Sequence, residues 1–122
     1  MKIVIEKINS EPRHSITKKD VKAVIEMVPD DWIGVAHVFS ISAQLFENSG
    51  WDRPVIKNNT TFKILSRGMD RNDIIKELLI ELAIVPTKTY PPKSHSLTKS
   101  QRKKLEELIM PYYHKLTESQ EL

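Results

Sequence analysis

Residues 2–8, KIVIEKI, alternate with Ile3, Ile5 and, at the end, Ile8 apolar, and predict a strand. After the loop NSEPRHS, Thr17 opens a helix. Its hydroxyl can accept from the amide near Asp20, and Asp20 in the first turn suits the positive helix end. Val21, Val24, Ile25 and Val28 form the apolar stripe of this helix, and Pro29 ends it. Residues 32–46, WIGVAHVFSISAQLF, predict one long strand. Ile33, Val35, His37, Phe39, Ile41, Ala43 and Leu45 share its core face, and the small, mixed residues between them share a half-exposed one. VIKNNTTFKILS reads as one or two strands, since Asn58-Asn59 tolerate a tight turn. Asp70 caps a helix that runs to Val85 and stops at Pro86. A capping box from Thr98 to Gln101 opens a last helix carrying Leu105, Leu108, Ile109, Tyr112 and Leu116, which Pro111 kinks or restarts. The order strand, helix, strand, one or two strands, helix, helix is an α+β layout: a small mixed sheet of three or four strands with helices packed on one face. The length suits one domain, 1–122, with 117–122 a frayed tail.

The helix IIKELLIELAIVP departs from simple amphipathicity. At roughly 100° per residue, Ile74, Ile75, Leu78, Leu79, Leu82 and Val85 fall in one arc that faces the sheet. Ile80 and Ile84 lie on the other side, with Lys76 and Glu77, where a surface helix carries charge. Full burial of an isoleucine contributes roughly 1.5–3 kcal/mol, so these two predict a cover. The C-terminal helix, an oligomer contact and an external partner or ligand are the candidates.

Composition removes several chemistries. The absence of cysteine excludes disulfides, thiolate metal sites and cysteine nucleophiles, and with no apolar run of membrane-spanning length the default location is cytoplasmic. Three glycines leave no phosphate-binding loop, and no serine sits in a nucleophile elbow. The four histidines, His14, His37, His95 and His114, have no pair at helical ligand spacing. His37 reads as a core residue of the long strand. Glu77 and Glu81, one turn apart, read as an exposed pair. Net charge is +3, but between Pro86 and Lys115 seven basic residues face two acidic ones. Lys99, Arg102, Lys103 and Lys104 on the last helix form a candidate phosphate-contact patch, with Tyr112 or Tyr113 for stacking.

LLIELAIVP resembles the core of the zincin metallopeptidase helix, LLHELAHVP, with both histidines replaced. In that family two histidines at i and i+4 bind zinc, and the glutamate beside the first activates the metal-bound water. The resemblance places Ile80 and Ile84 at the ligand positions and Glu81 at the glutamate. NNTTFKILSRGMDRNDIIKELL resembles the edge strand, turn and helix start before HExxH. KSHSLTKSQRKKLEELIMPYY resembles the segment that brings a third ligand in SprT-like minimal zincins, with His95 in its place. The resemblance covers about residues 60–113 in motif detail. It implies a zincin-like fold, and its departures imply loss of the activity. Isoleucine has no lone pair, so no zinc and no other cofactor is expected, and Glu81 has no activated water to act on. The expected role is a non-catalytic zincin-like domain that binds a protein or peptide, in a former cleft lined by Ile80, Glu81, Ile84 and His95, along the sheet edge near residues 55–64. The alternative is a small basic nucleic-acid-binding protein that uses the last helix.

Overall fold

The computed structural model describes residues 2–34, 36–92 and 96–118. Four short strands, β1 (Lys2–Ile5), β2 (Val38–Ile41), β3 (Val55–Asn58) and β4 (Thr61–Ile64), join in one sheet in the order β1-β2-β4-β3. β1 runs parallel to β2 and β2 parallel to β4, whereas β3 is antiparallel to β4 and forms the opposite edge. The helices are α1 (Lys18–Met27), the single turn α2 (Asp30–Ile33), α3 (Arg71–Thr87) and α4 (Lys99–Glu118). The fold is α+β with a small mixed sheet, as the pattern of the chain predicts.

Period-two alternation decides which side chains meet the helices. The rows Ile3–Phe39–Phe62–Lys57 and Ile5–Ile41–Ile64–Val55 lie across the sheet on one face, and their central members are buried. Phe39 and Phe62 stack with centroids 5.0 Å apart, a geometry worth about 0.5–1.5 kcal/mol beyond simple burial. The alternate rows, Lys2–Val38–Thr61–Asn58 and Val4–Ser40–Lys63–Ile56, are half-buried or exposed and form the outer face. α1 packs on β1, α3 on β3, and α1, α3 and α4 touch one another. They close one core with Val21, Val24, Leu78, Leu82, Leu105 and Ile109.

The predicted caps form. Thr17 and Asp20 make a reciprocal capping box, and Asp70 accepts from the amides of Asn72 and Asp73. Thr98 and Gln101 make a second reciprocal pair. β3 and β4 form a hairpin around Asn58-Asn59-Thr60-Thr61, with Asn59 at φ 57°. The long strand over 32–46 does not form. Pro29 and two carboxylates at the start of the stretch favour a helical turn, α2, which drops Trp32 into the core, edge-on against Tyr112 at 5.2 Å. Gly34, at φ 45°, turns the chain, and among the described residues of this stretch Val38–Ile41 pair as strand. His37 is consequently exposed just before β2, not a core residue.

α3 continues one residue past Pro86, whose fixed φ is helical and whose missing N–H costs one bond. Lys88 then takes the left-handed conformation, its N–H reaching the carbonyls of Ile84 and Val85, and the Thr87 hydroxyl bonds to the Ala83 carbonyl. Val85, placed on the sheet-facing arc by the wheel, is 40% exposed. α4 runs through Pro111 and includes Thr117 and Glu118.

Candidate functional site

Ile80 and Ile84 are 2% and 6% exposed, inside the same core cluster as Leu105 and Ile109. The cover is α4. Lys76 pairs with Glu106 at 3.2 Å, and Arg102 donates to Glu77 at 3.1 Å and pairs with Glu106 at 3.0 Å. These contacts tie the first halves of α3 and α4 together. Lys76, Ile80 and Ile84 stand at successive i+4 positions, so the face that begins with ion pairs continues into the core under α4. Among the described residues Ile80 and Ile84 therefore line no cleft, contrary to what the resemblance implies. They are packing residues within the chain.

Glu81 is 6% exposed, against the expectation of an exposed carboxylate pair with Glu77. Its Oε2 lies 3.3 Å from Nε of Arg53 and its Oε1 3.5 Å from Nη2. It also accepts from the backbone amide of Lys57. The register of the hairpin explains that last contact. The Leu65 amide donates to Pro54 at 2.8 Å, so residues 54, 56 and 58 of the β3 segment face β4, and Val55 and Lys57 point their backbone groups outward. Glu81 thus caps an outward amide of the edge strand. Burial pushes its carboxyl above the usual carboxylate range, more than Arg53 and the Lys57 amide pull it down.

Beside this pair opens a cleft of about 390 Å³ between the starts of α3 and α4 and the loop before β3. Phe46, Pro54 and Met69 give it an apolar wall, and Asp52, Arg53, Asp73, Lys76, Glu77 and Arg102 a charged one. Arg53 also pairs with Asp52 at 3.3 Å. Its role had no signal in the sequence, because 28 positions separate it from Glu81 and no spacing rule joins a loop arginine to a helix carboxylate.

These residues do not fit a zinc ion. The two positions that the resemblance would give to ligands, Ile80 and Ile84, are hydrocarbon in the core, and Glu81 is engaged by a guanidinium. No group of three or more histidine, cysteine, aspartate or glutamate residues with metal-binding geometry occurs among the described residues. His95, expected at the third ligand position, lies outside them. His14 is half-buried, its Nε2 donating to the Glu6 carbonyl at 2.7 Å, and His114 is exposed, 3.6 Å from Glu118.

The basic patch divides. Lys99, Lys103 and Lys104 are exposed on α4, whereas Arg102 is engaged by Glu77 and Glu106, which holds its proton more firmly than usual. Tyr112 packs on Trp32 and Tyr113 is half-buried against the core, so neither ring stands free for stacking. Among the described residues no helix is long and apolar enough to cross a membrane. No protein-family model matches the chain, and neither does any curated protein or any solved structure.

Proposed function

We propose that the chain is a non-catalytic zincin-like domain that serves as a protein- or peptide-binding module, with the cleft beside Arg53 as its contact surface. The observation that carries the reading is the Arg53–Glu81 pair. A peptidase of this design needs its glutamate free to take a proton from metal-bound water. Here the carboxylate at that position is buried, holds a guanidinium and caps the edge strand. A guanidinium pairs with the carboxylate at the glutamate position, and hydrocarbon stands where the resemblance would place two ligands. The element order also supports the reading: an antiparallel edge strand, a hairpin and a turn lead directly into α3.

What remains is recognition. The cleft offers an apolar wall for one anchoring side chain and a rim of charged groups for the polar remainder of a peptide, the composition common in binding clefts. Strand addition along β3 is the less favourable mode, since Glu81 already occupies the Lys57 amide that an incoming strand needs.

Selection of a displayed peptide library on the purified protein, followed by amide-shift mapping of the winners, tests this. Selected peptides should perturb residues 46–54 and the first turns of α3 and α4. Phe46→Ala with Met69→Ala should weaken them about tenfold, the loss of roughly 1.4 kcal/mol of apolar contact. Failure to select any peptide, or mapping to a different face, contradicts the proposed surface. Peptide cleavage by the metal-supplemented protein that is abolished in Glu81→Gln contradicts the non-catalytic assignment.

A further inference from the structure

The two edges of the sheet are not alike. At β3 the outward Lys57 amide is satisfied by Glu81. At β1 the outward groups have no such cap. Lys2 and Glu6 donate their amides to His37 and Ile41 of the neighbouring strand at 2.9 Å each. In a parallel ladder alternate residues turn opposite ways: Lys2, Val4 and Glu6 face β2, so Ile3 and Ile5 present both N–H and C=O to the outside. Among the described residues none of these four groups has a partner. The edge strand is short and carries Lys2, but no proline, bulge or inward-pointing charge breaks its row of outward groups.

We propose that β1 is a self-association edge, pairing antiparallel with β1 of a second copy about a two-fold axis at Val4. The strand is its own complement. When Val4 faces Val4, Ile3 faces Ile5 of the second copy and Lys2 faces Glu6. All four outward groups on each chain then meet outward groups, giving four inter-chain hydrogen bonds, and Val4 and Lys2 fall at the closer non-bonded positions. Shifting by two residues in either direction leaves only one Ile–Ile bonded pair within residues 2–6 and removes the Lys2–Glu6 match, so charge and hydrogen bonding select the same register. The side chains suit their faces. Ile3 and Ile5 are partly buried against the core and would extend it across the axis. Lys2, Val4 and Glu6 sit on the outer face, where no helix packs on this strand. Glu6 holds the Ala43 amide at 2.7 Å and also bonds the Ser42 side chain, and the remaining lone pairs of the carboxylate can accept from Lys2 of the second copy. The contact is short, well below the roughly 800 Å² per partner of standard stable complexes, so the dimer is a weak, reversible one.

Single-cysteine cross-linking reads the register directly, because the chain contains no cysteine. The two-fold places the Cα atoms of Val4 about 4.5 Å apart, within disulfide range. Under mild oxidation Val4→Cys should become a covalent dimer much faster than Ile3→Cys or Lys2→Cys, which face different residues, and faster than Ser100→Cys on the exposed start of α4. Adding Lys2→Glu to Val4→Cys should slow the reaction, through repulsion from Glu6. Sedimentation of the unmodified chain over a wide concentration range should show a monomer–dimer equilibrium that Lys2→Glu shifts toward monomer. Equal rates at all four positions, or a chain that stays monomeric throughout, would overturn the proposal, as would a strand from a different protein as the only species that adds to β1.

Discussion

Glu81 is the residue on which the molecule's chemistry turns, and its environment makes a signed prediction. Burial raises its folded pKa above the unfolded 4.5, so the folded state binds the proton more tightly. Its contribution to stability is complete below pH 4.5 and is lost as pH rises through the folded value. Glu81→Gln removes that titration while keeping an oxygen for Arg53 and the Lys57 amide. The variant should therefore gain stability relative to the parent as pH rises from 4.5 to 7, measured by urea unfolding across that range. A constant difference would show that the carboxylate titrates normally. Ile80 and Ile84 make a second prediction: each substitution by alanine should cost about 2–5 kcal/mol, the range for large-to-small changes in a packed core. A cost below 1 kcal/mol in a denaturation curve would mean that the site is open rather than packed under α4. The isoleucines announced themselves in the sequence, because two β-branched apolar residues on a charged face demand a cover. Arg53 did not, because nothing local to a loop arginine records which distant carboxylate it meets.

At the scale of elements, legibility followed the strength of local signals. The helix starts at Thr17, Asp70 and Thr98 were readable because a cap is a short-range hydrogen-bond arrangement written in adjacent residues. The stretch 32–46 misled because its alternation is real over Val38–Ile41 but accidental before it. There Trp32 gains more from the core and from Tyr112 than from a place in a strand, and Gly34 supplies the turn. Gly34→Ala should accordingly destabilise the fold by about 1–2 kcal/mol. A side chain at positive φ is strained, and the new Cβ would approach the Asp31 carbonyl to 3.3 Å. Thermal unfolding measures this, and an unchanged midpoint would mean that the turn relaxes freely. The face of α3 toward α4 could be read as needing a cover but not as having this one, since which helix lies on which is decided by the whole core.

The helices and the sheet are further tied by carboxylates that work in the opposite sense to Glu81. Burial raises the Asp20 pKa, but the hydrogen bonds and charge of Arg71, with the Thr17 amide, outweigh it and hold the group below its ordinary 3.8. The Ala43 amide, with Ser42, does the same for Glu6 below 4.5. Such groups stabilise above their unfolded pKa values and lose that contribution as pH falls through the folded ones. Asp20→Asn should lower stability at neutral pH and shrink the further loss on acidification, read from urea midpoints at neutral and acidic pH. An unaltered acid limb would show that the α1–α3 bridge carries nothing.

At the scale of the whole molecule, the proposed reading is a zincin-like scaffold in which the positions that the resemblance gives to the ion's ligands are core and the glutamate position is an ion pair. Zinc titration of the purified protein, followed by calorimetry and by amide shifts around Glu81, tests it most directly. The account predicts no stoichiometric, tightly held ion, and amides near Arg53, Lys57 and Glu81 that do not move. One zinc per chain, bound tightly and accompanied by shifts at those amides, would contradict it.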